Sequence, residues 1–448
     1  MMHILRVLKA YWQTKNMRFA TRESLEAHQQ RKLLGFLKNL SKRSNYFSRY
    51  TNLPLSQWPT MDKAVMLDNF NEMNTGGLKL DEVFETAISC EHTRNFTPMI
   101  NGITVGLSSG TSSKRGAFAV SPKEQALWAG IMLAKALPNG LFSGERVALF
   151  LRANSNLYKS VESPWLSFSY FDLFQPLEQN LASLTSYQPS IIVAPAQVLR
   201  QLALDVVAGK LILAPKRVIS VAEVLEQDDR EIIENAFGQA HEIYQATEGF
   251  LASTCKDGVL HLNEEYLYIE PQWLDSRKKR FVPIITDFSR MTQPIVRYRL
   301  DDILVAKEMP CTCGNKAMAL ERIEGRCDDA LLLIDHQGHL VTVFSDVVSR
   351  ALAQRLPLAA DYRLIQDAAD SLTLCANIDE ILLVDVRDYL NQILEKMGID
   401  TKVIAWKLSQ DVPLFDPMKK RRRITRNKES CMEFIHPSMP INQACRML

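Results

Sequence analysis

Residues 241–249 read HEIYQATEG, a strand that ends in a loop at Thr-Glu-Gly. Upstream, RVALFLRAN (146–154) has the make-up of a buried strand, and SIIVAPAQVLRQLA (190–203) that of a strand followed by a helix. KRVISVAEVL (216–225) repeats the pattern, its helix running on through EQDDREIIENAFG. Short Val- and Ile-rich runs that alternate with helical periodicity predict βαβ units and a mainly parallel sheet, hence an α/β fold. Ligands of such sheets sit beyond the carboxyl ends of the strands, where the loops after Leu107 and Tyr244 are expected.

Outward from this centre the pattern changes. ESLEAHQQRKLLGFLKNLSKRS places Leu33, Leu34, Leu37 and Leu40 at helical spacing, and an irregular Pro59-Thr60-Met61-Asp62-Lys63 leads into a short amphipathic stretch through Phe70. Residues 259–305 turn strand-rich. After GRCDD (325–329) a smaller α/β pattern begins: ALLLIDHQG, a helix through SDVVSRALAQRL, TLCA, a helix through ILLVDVRDYLNQILEKMG, then TKVIAWKL. A large domain over 1–325 and a small one over 326–448 are therefore expected, with no internal repeat and no low-complexity tract.

The totals agree with a large globular chain. Its 448 residues exceed what one core usually covers. The apolar fraction of 46% and charged fraction of 23% are ordinary globular values. A net charge of +2 gives no support to a broad nucleic-acid or membrane surface. No apolar run reaches the roughly 18–20 residues of a spanning helix, and MMHILRVLKAYWQTK lacks the apolar core of a secretory signal. A cytoplasmic protein is the expectation, with reduced cysteines. Cys90, Cys375, Cys431 and Cys445 read as small buried or half-buried residues, and Cys327 as part of the interdomain connection.

Residues 107–116, LSSGTSSKRG, pack five hydroxyls, two glycines and a Lys-Arg pair into ten positions. Gly110 and Gly116 let backbone approach a ligand. The hydroxyls of Ser108, Ser109, Thr111, Ser112 and Ser113, with Lys114 and Arg115, suit polyphosphate, whose oxygens only accept. A Walker A loop fits poorly, because no Gly-Lys-Ser/Thr follows at its spacing. Glu248 at a strand end has the chemistry to hold Mg²⁺ on a nucleotide. Asp302, in RYRLDDI (297–303), has two acceptor oxygens for a ribose diol. RIEGRCDD (322–329) places a Gly-Arg turn at the domain boundary. Each of these alone also reads as a solvated loop, a charged strand end or a linker.

Together and in this order, SSGT (108–111), ATEG (246–249), RYRLDD and RIEGRCDD resemble the adenylate-forming (acyl-CoA synthetase) superfamily, and most nearly its phenylacetate–CoA ligase and coenzyme F390 synthetase-like branch. The likeness runs from PTMDK near residue 59 to the C-terminal basic segment. The loop departs from the family's usual Thr-Gly-Lys or Ser-Gly-Lys run, and Leu300-Asp301 stand where Thr-Gly is usual. The resemblance implies a large N-terminal domain with mainly parallel sheets and a small mobile C-terminal α/β domain. It also implies a reaction: a carboxylate attacks the α-phosphate of ATP, and a thiol of CoA or a carrier protein then takes the acyl group.

The same likeness assigns roles. Ser108, Ser109, Gly110, Thr111 and Lys114 would hold the β- and γ-phosphates, and Tyr244 belongs to the nucleotide-binding set. Thr247 would contact the α-phosphate and Glu248 would hold Mg²⁺. Asp302 and Arg326 would bind the ribose. Asp328, or its neighbour Asp329, would be the hinge of a rotating small domain. In PLFDPMKKRRRITR, Lys419 and Lys420 are candidates for the adenylation lysine, and the family's Lys-x-x-Arg-hydrophobic pattern favours Lys420. An aryl or small organic acid is the expected substrate, with Phe168, Tyr170 and Phe171 either lining its pocket or forming ordinary core. A homodimer is the assembly allowed for; nucleic acid and membrane insertion are not expected.

Cys255-Lys-Asp-Gly-Val-Leu-His261 and Cys311-Thr-Cys313-Gly both lie in the strand-rich region after ATEG. Three thiolates and an imidazole make a closed tetrahedral set, which is the chemistry of structural zinc. The branch named above resembles this chain in carrying Cys…His…Cys-x-Cys at these places. Two other readings compete with the ligase. One is a zinc-containing nucleic-acid-binding protein, drawn from the Cys/His set and the KKRRR run. The other is a degenerate nucleotide-binding member of the same superfamily.

Overall fold

The computed structural model describes residues 2–93, 95, 97–108, 115–137, 139–151, 165–173, 175, 177–326, 330–357, 360–412 and 422–427. Three short strands come first: β1 (Met99–Ile100), β2 (Ile103–Leu107) and β3 (Ala117–Val120). They form an antiparallel sheet of their own, with Thr104 opposite Val120 and Leu107 opposite Ala117. The strand before the polar loop thus stands apart from the parallel sheet. Its loop returns as a hairpin, and a hairpin pairs its own two arms.

The main sheet follows. Its first half is β4 (Glu145–Leu151), β5 (Leu166–Asp172), β6 (Ile191–Ala194), β7 (Arg217–Val221) and β8 (Ala240–Ala246). These run parallel in the order β8-β7-β6-β4-β5. Within β4, Val147 and Leu149 turn to one face, and Ala148 and Phe150 to the other. The first face meets helices Met2–Asn16 and Pro122–Ala136; the second meets Leu177–Tyr187, Ala196–Val207 and Gln227–Phe237. Burial on both faces is why these strands read as continuous apolar runs. Phe171 stacks on Phe150 at 4.8 Å inside the second core, so this member of the aromatic trio is ordinary packing.

Beyond β8 the sheet continues antiparallel through β9 (Gly249–Thr254), β10 (Leu260–Leu262), β11 (Leu267–Trp273), β12 (Arg280–Asp287), β13 (Ile295–Arg299), β14 (Asp302–Ala306) and β15 (Ala319–Arg326). One face of this half buries Phe47, Trp58, Phe281 and Tyr298 together with residues of helix Arg22–Leu40. Leu33 and Leu40 of that helix are buried, but Leu34 is 61% exposed, because the inward stripe runs Leu25, Leu33, Phe36, Leu40. Helix Pro122–Ala136 opens with a capping box between Ser121 and Glu124. The Glu124 carboxylate also accepts from the Met291 and Thr292 amides, which ties the helix to the loop after β12.

His241, in β8, is buried, and burial pushes its imidazole down to about 4 from the usual 6.5. The unfolded chain then binds the extra proton between these values, so stability is full above pH 6.5 and is lost as pH falls toward 4. Replacing His241 with Phe is expected to flatten that limb of a denaturation-midpoint-against-pH curve. An unchanged slope would show that His241 is not its source.

The remaining strands make a separate unit. β16 (Leu331–Ile334) and β17 (Leu340–Val343) form a hairpin. β18 (Tyr362–Ala368), β19 (Ser371–Ala376), β20 (Ala405–Ser409) and β21 (Ile424–Arg426) form a four-stranded sheet in the order β20-β19-β18-β21. Helices Ser345–Ala353 and Glu380–Lys396 cover it, and its core draws only on residues from Leu331 to Ile424. β17, β18 and β21 are absent from the sequence reading, although the alternation of Tyr362, Leu364 and Gln366 carries the signal for β18. Among the described residues no helix is long and apolar enough to cross a membrane.

Candidate functional site

ATEG folds as a tight hairpin. Ala246 pairs with Gly249 across β8 and β9, so Thr247 and Glu248 form the two-residue turn at the carboxyl end of β8. Space at the glycine is tight: a Cβ at 249 would lie 3.1 Å from Asp287 Oδ2, which would have to give way. Asp287 is itself fixed by the Ser289 amide at 2.8 Å and hydroxyl at 2.6 Å. Arg290 Nη1 donates to the Thr247 carbonyl at 2.7 Å, which holds the turn from the same loop. The Glu248 carboxylate lies beside the Tyr298 hydroxyl, close enough for its charge to act on the phenol. Burial, with the Glu248 charge beside it, keeps the Tyr298 phenol far above its ordinary range, so it stays protonated here. Arg290 and Tyr298 escaped the sequence reading, since they act through contacts of long sequence separation.

Around this turn lies a cleft of about 190 Å³ that collects Ser108, Ala222, Glu223, Tyr244, Thr247, Glu248, Tyr298, Asp302, Arg422 and Arg423, among others. Its floor is the carboxyl ends of β7 and β8, with Ala196 from the helix after β6, as the parallel pattern predicts. Ala222, just after β7, has φ of +67°, an unusual conformation for a residue with a Cβ. Ser108 anchors the stem of the polar loop: its amide donates to the Gly116 carbonyl at 2.7 Å, and its hydroxyl accepts from the Gly116 amide at 2.8 Å. Arg115 braces the stem of the loop rather than facing the cleft. Its guanidinium turns to Glu91, at 2.7 and 2.6 Å, and its Nε to the Ser108 carbonyl.

Tyr244 donates its hydroxyl to Asp302 Oδ2 at 2.5 Å, so two residues singled out for the nucleotide touch each other. Asp302 begins β14 directly opposite Arg326 at the end of β15. Leu300 is buried in the core, and Asp301 faces Arg299 at 3.8 Å. Phe168, Tyr170 and Phe171 are not among the residues lining this cleft; its aromatic walls are Tyr244 and Tyr298. Ser109, Gly110, Thr111, Lys114, Asp328, Lys419 and Lys420 lie outside the described residues, as does the Arg326 side chain.

The Cys/His set does come together. The ligand atoms of Cys255, His261, Cys311 and Cys313 all lie within 4.8 Å of one another. Cys255 Sγ and Cys311 Sγ are 3.8 Å apart, and Cys313 Sγ and His261 Nε2 are 3.4 Å apart. A tetrahedral zinc with ordinary bond lengths sets these edges at about 3.8 and about 3.6 Å. His261 Nδ1 donates to the Ala317 carbonyl at 3.1 Å, which leaves Nε2 as the ligating atom. Burial pushes this imidazole below its usual value, toward the neutral form that a metal needs. Each knuckle turns on a left-handed glycine, Gly258 at φ +77° and Gly314 at φ +81°. The Asp257 and Asn315 amides donate to the Cys255 and Cys313 sulfurs. Burial pushes the Cys313 thiol up to about 12, with the Cys311 and Cys255 sulfurs adding to the rise; a divalent cation would remove that penalty. The donor set therefore fits zinc.

This layout, a half-parallel sheet with a cleft at its carboxyl ends and a small α/β domain beside it, is the fold of the adenylate-forming ligases. The chain is similar to 2-hydroxyisobutyryl-CoA ligase in its postadenylation state, with a TM-score of 0.65 at 15% identity over 98% of this chain and 95% of that one. The same ligase in its thioesterification state covers equal shares at a TM-score of 0.52. The acyl acid amido synthetase GH3.15 matches at 0.55, with 13% identity over 87% and 86% of the chains. The amide bond synthetase McbA of Marinactinospora thermotolerans matches at 0.51, with 13% identity over 73% and 68%. No protein-family model and no curated protein sequence matches the chain.

Proposed function

We propose that the chain is an ATP-dependent carboxylate-activating ligase that forms an acyl-adenylate and passes the acyl group to a thiol of CoA or a carrier protein. The carrying observation is the single cleft that gathers the Ser108 loop stem, the Thr247–Glu248 turn and the Tyr244–Asp302 pair at the ends of β7 and β8. Solved proteins of this fold that bind acyl-adenylates support the reading. The cleft walls carry Glu223, Glu248 and Asp302 with few described cations, which suits a nucleotide brought in with its metal.

In this reading a carboxylate oxygen of the acid attacks the α-phosphorus of ATP. The bond to the bridging oxygen of the β-phosphate breaks, and pyrophosphate leaves with its electron pair. A thiolate then attacks the acyl carbon, a C–S bond forms, and AMP departs. Ser108 with the loop 109–114 holds the β- and γ-phosphates, and Thr247 orients the α-phosphate. Glu248, beside Tyr298, would hold Mg²⁺, which would neutralise phosphate charge. Asp302, aimed by Tyr244, takes the ribose diol with Arg326. Lys420 brings a cation from the small domain to the α-phosphate, with Lys419 as second candidate, and Asp328 is the hinge. The acid is an aryl or other small organic acid. Zinc on Cys255, His261, Cys311 and Cys313 is structural, since four protein ligands leave no open position.

The test is carboxylate-dependent ATP–pyrophosphate exchange with pools of benzoates, aryl-acetates, cinnamates, hydroxy acids and fatty acids. Exchange with one pool supports adenylation and names the acid class. Folded, zinc-replete protein that binds ATP but exchanges with none of the pools would favour the degenerate reading. A finer check falls on Tyr298→Phe: losing the hydroxyl beside Glu248 is expected to cost about tenfold or more in exchange and to raise the Mg²⁺ requirement. Wild-type Mg²⁺ dependence in this variant would remove Tyr298 from the site.

A further inference from the structure

Arg423 belongs to the small domain, at the entry to β21, yet its guanidinium is buried against the large one. Its side chain is 3% exposed, and Nη2 donates to Asp229 Oδ1 at 2.9 Å. Asp229 is 2% exposed and lies in the first turn of helix Gln227–Phe237. The same oxygen faces Arg200 Nε at 3.2 Å. Arg200 in turn donates from Nη2 to the Ala360 carbonyl of the small domain, also at 3.2 Å. The Arg423 guanidinium lies over the Tyr362 ring, 4.9 Å from its centroid. Its Nε and Nη1 find no hydrogen-bond partner among the described residues; Asp229 is the carboxylate hydrogen-bonded to this buried charge, and the charges of Glu226 and Asp228 also act on it.

One carboxylate of the large domain is thus shared by two guanidiniums, one from each domain, and the second reaches back across the boundary. Such a cluster is satisfied in one relative placement of the domains. Any rotation that separates Arg423 from Asp229 leaves buried charges uncompensated until water reaches them. Arg422, Arg423 and Ile424 line the cleft, and Arg423 follows Lys420 by three positions in sequence.

We infer that Asp229, Arg200 and Arg423 form an interdomain clamp. It holds the small domain in the placement seen here and positions one end of the segment that carries Lys419 and Lys420. The clamp biases the equilibrium between two domain placements by favouring one of them. Asp229 and Arg200 are positioning residues, acting through Arg423. The link to adenylation rests on the function proposed above; the link to domain placement does not.

The experiment reads domain placement directly. Donor and acceptor dyes are attached through genetically encoded azide side chains at Ile212 and Ile381, which are 79% and 85% exposed in the large and small domains. Single-molecule energy transfer on the full chain is expected to show one dominant distance. Asp229→Asn and Arg423→Gln, on opposite sides of the boundary, should each shift most molecules to a second distance, and the double variant should add little to either. Unchanged distributions in both single variants, with native circular dichroism and zinc content, would overturn the clamp. The half-reactions separate the two claims. With the clamp lost, exchange should fall about tenfold or more while thioester formation from supplied acyl-adenylate falls much less. Equal losses in both would refute the positioning role. Shifted distances in a protein whose wild type shows no exchange would keep the clamp and reject the ligase reading.

Discussion

Glu248→Gln is expected to lower carboxylate-dependent ATP–pyrophosphate exchange by about 10²–10³-fold, with the melting temperature close to wild type. The substitution keeps the size of the side chain and its place in the two-residue turn between β8 and β9. Gly249, packed on Asp287, and Arg290, bonded to the Thr247 carbonyl, hold that turn without help from the 248 side chain. The change removes only the negative charge that would hold Mg²⁺ and that the Tyr298 hydroxyl now faces. Loss of exchange with ATP binding retained would place Glu248 on the metal rather than on general nucleotide affinity. Exchange at the wild-type rate would remove it from the active site and leave the turn as a structural hairpin.

Cys311→Ser combined with Cys313→Ser is expected to take bound zinc from about one per chain to near none, and to cost at least about 3 kcal/mol of stability. The effect is large because of where the cluster sits. Cys255 closes the turn between β9 and β10, His261 lies in β10, and the two knuckle cysteines precede β15, which pairs with β10. One ion would therefore join three adjacent segments in the antiparallel half of the sheet. Metal content by mass spectrometry of untagged protein, with urea denaturation, checks both parts. Zinc retained in the double variant, or stability unchanged after its loss, would rule out the structural role.

Much of this architecture is legible in the chain. The Val- and Ile-rich runs of β4, β6 and β7 announce buried strands because both of their faces are covered. The helix patterns between them announce the crossovers that parallel strands require. The order of SSGT, ATEG, RYRLDD and RIEGRCDD gives the likeness, and the structure brings Ser108, Thr247, Glu248 and Asp302 into one cleft. The Cys/His spacing shows which four side chains are candidates for one metal. The strand ending at Leu107 is legible too, but its sheet is not: β2 joins a separate antiparallel sheet, because a strand of five residues pairs with whatever its hairpin returns to it.

The sequence by itself determined the strands and helices of the parallel half, the two-part division of the pattern, and the residues with the chemistry for nucleotide and zinc. These are local properties: periodicity, turn chemistry and side-chain type act over a few residues. Tertiary structure alone decided what those residues touch. Tyr298 meets Glu248, Tyr244 meets Asp302, Arg290 meets Thr247 and Arg423 meets Asp229, across 50, 58, 43 and 194 positions of chain. Arg115 carries the same charge as Lys114 beside it, yet its guanidinium goes to Glu91. No local pattern encodes such pairs. They form because folding buries polar groups that must then find partners, and the partner on hand is set by how sheet and helices pack.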